Sequence, residues 1–151
     1  MTDRNRIIET LEKLIAVCRD GQCGYRNAAE HAQDPALKRV LGAISLERAK
    51  FAGDLENEAI RRGKPDVPRL GSALGAIHRG WTGLKASLGG GDDAILSSME
   101  TGDDYAQNQY DHYIRDGRLP DDIQGIIRNQ AQAIVGTLDR IHAFRRLRKA
   151  A

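Results

Sequence analysis

Apolar residues recur along most of this chain in steps of four and three, a spacing that winds them into a stripe along one side of an α-helix. The first series runs Ile7, Leu11, Leu14, Cys18, Gly21, Tyr25, Ala28 and Ala32. A second carries Leu37, Val40, Leu41, Ile44, Phe51 and Leu55, and a third Leu70, Leu74, Ile77, Trp81, Leu84 and Leu88. The fourth reads Leu96, Met99, Asp103, Ala106, Tyr110 and Tyr113, and the last Ile123, Ile127, Gln130, Ile134, Leu138, Ile141 and Phe144. Each stripe needs a partner surface, and helices that share their stripes form a bundle.

Local punctuation places the boundaries. Asp34-Pro35 combines a good N-cap with a proline suited to a first helical turn, so it divides the first two series into a tight antiparallel hairpin. Gly63 followed by Pro65 stops the second helix, and Gly89-Gly90-Gly91 separates the third from the fourth, where Asp92 is the expected N-cap. Gly117 and Pro120 mark the last junction, with Asp121 and Asp122 in the first turn that follows. The expected helices cover about 3–33, 35–62, 70–88, 92–116 and 120–149. With 151 residues, 1–151 is expected to be one domain. The third series carries four glycines, Gly71, Gly75, Gly80 and Gly83, so it depends on packing and reads as a short helix within a long crossover. An antiparallel four-helix bundle with such a crossover is the ferritin-like arrangement.

Two of these stripes are interrupted by charge. Between Ile44 and Phe51 the second passes through Glu47 and Arg48, and the fourth passes through Asp103 with Glu100 one turn before it. Buried carboxylates are costly unless paired, hydrogen-bonded or bound to metal. Folding the hairpins about residues 34 and 118 brings Glu47 level with Gly21, and Glu100 level with Thr137, with Tyr25 and Gln130 nearby. Glu47, Glu100 and Asp103 are therefore the candidate metal ligands. Hard oxygen donors suit Fe, Mn, Mg or Ca. The competing arrangement, which the sequence favours, is metal-free: Arg48 or an arginine on a facing helix neutralises the acids in a buried ion-pair layer. No histidine joins the set, since His31, His78, His112 and His142 stand on four separate segments.

Cys18-Arg19-Asp20-Gly21, Ala28-Ala29-Glu30, Glu47-Arg48-Ala49, His78-Arg79-Gly80-Trp81 and Glu100-x-Gly102-Asp103-Asp104 together resemble a bacterial family of small four-helix-bundle proteins of unknown function, grouped with the ferritin-like superfamily. The likeness covers nearly the whole chain. It implies the bundle fold and leaves the activity open. At position 138, where the resemblance suggests His ahead of Asp-Arg-Ile, the chain has Leu138.

Twenty-three Lys and Arg against twenty-one Asp and Glu give a formal charge of +2, so no global field selects nucleic acid as a partner. The basic end, with Arg145, Arg146 and Arg148, fits the negative end of a helix dipole, and a weak nucleic-acid contact there is the lesser expectation. No apolar run reaches the roughly 20 residues of a membrane span. The N-terminus leads straight into an amphipathic helix, and Cys18 and Cys23 lie on different helix faces as reduced thiols, so the expected location is cytoplasmic. The crossover stripe adds apolar surface to a bundle that already fills its own core. Trp81, Leu74 and Ile77 are therefore the expected anchors of a homodimer. A non-catalytic, stress-related association protein is the leading functional expectation. A ferroxidase-type or peroxide-reacting Fe or Mn protein is the alternative.

Overall fold

The computed structural model describes residues 3–64 and 87–150. Within them the chain is all-helical: α1 (Asp3–His31), α2 (Pro35–Arg61), α3 (Asp92–Asp116) and α4 (Asp121–Ala150) are joined without a strand. The expected crossover helix, with Leu74, Ile77 and Trp81, falls outside the described residues apart from its last two positions.

The hairpin of α1 and α2 forms at Asp34, whose side chain accepts a hydrogen bond from the Ala36 amide at 2.8 Å while Pro35 occupies the first turn. This is the junction the sequence led us to expect. The start of α3 differs. Gly91, at φ +87°, is its N-cap and offers no side-chain bond, while Asp92 stands one residue inside the helix. The Asp92 carboxylate instead accepts from the Gln33 and Asp34 amides at 2.8 and 3.0 Å. It thereby ties the start of α3 to the α1–α2 turn. Gly117, at φ +68°, closes α3 in the left-handed geometry that glycine adopts without a Cβ penalty.

These ties give the helices their directions. The end of α2 lies with the starts of α1 and α4: Arg62 meets Asp122 at 3.1 Å, and its carbonyl accepts from Arg4 at 2.6 Å. The start of α3 lies at the opposite end, with the α1–α2 turn and the end of α4, where Arg148 meets Asp93 at 2.6 Å. Hence α1 and α4 run one way, and α2 and α3 the other. α1 packs on α2 and α3, and α4 packs on α3 and α2, so every neighbouring pair is antiparallel.

The core is divided. One apolar cluster gathers Leu11, Leu14, Leu55, Ile123, Ile127 and Ile134 with their neighbours. A second gathers Ala28, Leu37, Leu41, Ile95, Leu96 and Ile141 toward the other end. Arg48, Asp103 and Thr137 are fully buried yet belong to neither cluster. A polar layer crosses the bundle between two apolar halves.

Candidate functional site: a buried ion-pair layer

The layer is built from single side chains on the facing stripes of three helices. Arg48 replaces an apolar residue on the inward side of α2, one turn beyond Ile44. Asp103 does the same on α3, between Met99 and Ala106. Their exposures are 1% and 0%, and the guanidinium meets the carboxylate through two bonds, Nη1 to Oδ1 at 2.6 Å and Nη2 to Oδ2 at 2.9 Å. This is the two-pronged geometry in which arginine binds a carboxylate most strongly. Tyr25 on α1 donates its hydroxyl to Asp103 Oδ2 at 2.5 Å, and its ring lies 5.2 Å from the guanidinium carbon, within cation–π range. Asp103 thus accepts from two other helices, and the charges cancel inside the core.

A second, uncharged chain runs beside it. Tyr110 on α3 donates to Gln130 Oε1 on α4 at 2.6 Å, and Gln130 Nε2 donates to the Phe51 carbonyl on α2 at 3.3 Å. Because the phenol has one proton and spends it on Gln130, the 3.0 Å contact between Cys18 and Tyr110 is a thiol donating to the phenol oxygen. The four helices are thereby joined by hydrogen bonds through their common interior.

The electrostatics follow from burial and pairing. Burial opposes the charge on Arg48, but the attraction of Asp103 and its two hydrogen bonds outweigh that cost and push the arginine pKa up. Burial raises Tyr25 well above the usual phenol range, and the neighbouring Asp103 carboxylate adds to the rise. Burial likewise raises Tyr110, helped by Cys18. The Cys18 thiol is pushed up by burial to about 11, against the opposing pull of Tyr110 and Arg48. A thiol so protected is a poor nucleophile. Cys23 is also free and is partly exposed.

The three acids singled out in the sequence do not meet. Asp103 lies in the layer, with both oxygens held by Arg48. Glu100 sits at the α3–α4 edge with its side chain 28% exposed, where it binds Arg145 at 2.5 Å and faces His142 at 3.5 Å. The expected inward direction fails because Glu100 stands most of a helical turn away from Asp103, which rotates it off the core stripe. Glu47 has one buried oxygen, Oε1, without a hydrogen-bond partner among the described residues. No group of three or more His, Cys, Asp or Glu gathers among the described residues in a way that could hold a metal ion. The ferritin-type donor set of carboxylates with histidine does not fit here, since Asp103, the acid that α3 places in this layer, is already spent on a guanidinium.

Residues 6–116 match the family described as Domain of unknown function (DUF2383). The chain belongs to that family. The match holds Cys18, Tyr25, Arg48, Asp103 and Tyr110, so all of the charged layer falls inside it, while Gln130 comes from α4 beyond its end. Comparison with curated proteins finds no match.

Of the basic C-terminal residues, Arg145 is paired with Glu100, and Arg148 with Asp93. Arg146 is exposed. Periodicity does not reveal either partner, because both lie on α3, some 45 and 55 residues away in the chain. No helix among the described residues is long and apolar enough to cross a membrane.

Proposed function

We propose that this DUF2383 chain is a ferritin-like bundle whose central layer carries a covalently built-in cation, the Arg48 guanidinium, in place of a metal, and that it acts by association and not by catalysis. The observation that carries this reading is the double hydrogen bond from Arg48 to Asp103. Both oxygens of the best-placed inward acid are spent on a side chain that cannot leave. Buried pairs of this kind add little net stability but penalise every misaligned packing, which suits a bundle needed as a scaffold. The long-crossover topology is supported by α2 ending where α4 begins while α3 starts at the far end of the bundle. A bacterial, cytoplasmic and stress-related setting belongs to the same reading by analogy with such bundles, as does a homodimer anchored on Trp81, Leu74 and Ile77. Nucleic acid is not a partner in this reading. The acids beside Arg145 and Arg148 already compensate two of the three charges expected to seek phosphate.

The test is metal analysis of the purified protein after equilibration with Fe(II) or Mn(II). Metal well below one ion per chain, unchanged by Asp103→Asn, is the expected result. One ion per chain, lost on Asp103→Asn, would replace this reading with the Fe or Mn alternative, for which the unpartnered Glu47 oxygen is the favouring observation.

A further inference from the structure

The outer surfaces of the two hairpins differ in charge. Between α1 and α2 lies a groove of about 660 Å³, lined by Arg26, Ala29, Lys38, Arg39, Gly42 and Leu46 among others. Leu46 stands at its lip 74% exposed. A Cβ on Gly42 would meet nothing among the described residues, so the groove is open there. Three cations line the groove against one acid, Glu30. Lys38 is turned toward the Ala29 and Glu30 carbonyls, and Arg26 and Arg39 are exposed and form no ion pair among the described residues.

The α3–α4 hairpin differs: its groove holds one acid, Asp111, and one cation, Arg128. This smaller groove of about 360 Å³ is lined by Asp111, Ile114, Arg128, Ala131, Gln132 and Val135, with Val135 40% exposed. Asp139, one turn beyond Val135, and Asp104, two turns before Asp111, add carboxylates to the same side, and none of Asp104, Asp111 and Asp139 forms an ion pair among the described residues. Partial burial, and after it the nearby Glu100 carboxylate, push the Asp104 pKa up against the pull of His142.

We propose that the α1–α2 groove receives the α3–α4 face of a second copy of this chain, Leu46 entering beside Val135 and Ile114 while Arg26 and Arg39 face Asp111 and Asp139. This rests on the association reading above and puts these two faces in place of its crossover-anchored homodimer. Symmetric pairing of the basic groove with itself would set Arg26 and Arg39 against their own copies, and like charges across an interface are selected against. The two hairpins pack on each other, so their outer grooves look in opposite directions. A contact between unlike faces is heterologous and repeats, giving a ring or an open chain of subunits in place of a closed dimer.

Light scattering or sedimentation of the full chain at low salt tests this. The wild type is expected to rise with concentration above twice the 16.6 kDa of one chain. Leu46→Glu and Val135→Arg, both at exposed positions, are each expected to weaken association about tenfold or more by setting like charge against like. An equimolar mixture of the two variants should regain association, because each retains the intact face that the other lacks. A wild-type monomer at every concentration overturns both this proposal and the association reading. A closed dimer indifferent to both substitutions overturns only this proposal and leaves the crossover route standing. Weakened variants whose mixture does not recover overturn the head-to-tail arrangement.

Discussion

A Cβ placed on Gly21 would stand 3.2 Å from Nη1 of Arg48, with the arginine Cγ and Cδ at 3.5 and 3.8 Å. The glycine on α1 is therefore the recess in which the buried guanidinium of α2 lies. The 3.2 Å approach requires the guanidinium to give by a few tenths of an ångström, and Arg48 is held at that end by Asp103. Gly21→Ala is expected to cost about 1–3 kcal/mol through overpacking, despite the better helix propensity of alanine. Gly53 and Gly136 have nothing within 4 Å of a built Cβ, so their replacement by alanine should instead stabilise by about 0.5–1 kcal/mol. Urea midpoints of the three variants make the comparison. Equal gains at all three positions would mean that Arg48 is not packed on Gly21.

Asp103→Asn removes the charge but keeps a carbonyl oxygen of similar shape. The variant leaves Arg48 buried without a counter-charge, and losing one partner of a buried pair costs about 3–5 kcal/mol. Replacing the group together, Arg48→Met with Asp103→Leu and Tyr25→Phe, removes every polar member at once. Its stability should return to within about 1–2 kcal/mol of the wild type or exceed it, because the desolvation cost disappears with the pair. Equilibrium denaturation distinguishes the cases. A single variant as stable as the wild type would show that the charge of Asp103 is not compensated by Arg48.

The helices were readable in the sequence because their stripes are long and their ends carry Asp34-Pro35, Gly63 and Gly117. Arg48 and Asp103 are readable as interruptions of those stripes, with Arg48 or an arginine on a facing helix as the neutralising partner. What periodicity does not carry is rotation within a stripe. Glu100 and Asp103 are three residues apart and were read as one inward pair, yet Asp103 reaches the centre and Glu100 the edge. The hydrogen-bond chain Cys18, Tyr110, Gln130 also escaped notice, since each member looked like an ordinary seam residue and only the fold brings three helices together. Asp92 misled for a different reason: an acid at a helix start is a common N-cap, and nothing local reveals that its oxygens are taken by a turn 58 residues earlier.

That turn yields its own test. Among the described residues, Asp92 is the one side chain that binds the Gln33 and Asp34 amides, which follow the end of α1. Asp92→Ala leaves both partly buried amides without their acceptor, at a cost of about 1–3 kcal/mol. Asp92→Asn keeps one accepting oxygen and should recover part of the loss. Hydrogen exchange should show faster opening at residues 32–36 in the alanine variant, while the far end near Arg62 keeps its protection. Uniform loss at both ends would argue against a local tie.

Alkaline pH probes the layer through protons the fold retains. The unfolded thiol ionises near 9.0, whereas burial holds Cys18 protonated up to about 11, and Tyr25 and Tyr110 are held well above the ordinary phenol value of 10.0. All three shifts are upward. Their stabilising contribution is fully present below the unfolded pKa values and is lost as pH rises toward the folded ones, because the unfolded chain then binds fewer protons than the native one. Each group that is ionised only in the unfolded state removes roughly 1.4 kcal/mol per pH unit, so Cys18 alone withdraws about 2–3 kcal/mol between pH 9 and 11. Stability measured by urea unfolding should be nearly level from pH 7 to about 8.5 as far as these groups are concerned, and then fall with a steepening slope as the tyrosines join. Cys18→Ala should flatten the first part of that fall and leave the later part to Tyr25 and Tyr110. Stability unchanged through pH 10.5, or a thiol at position 18 that reacts with a disulfide reagent as fast as Cys23 in the native protein, would place these side chains outside the core.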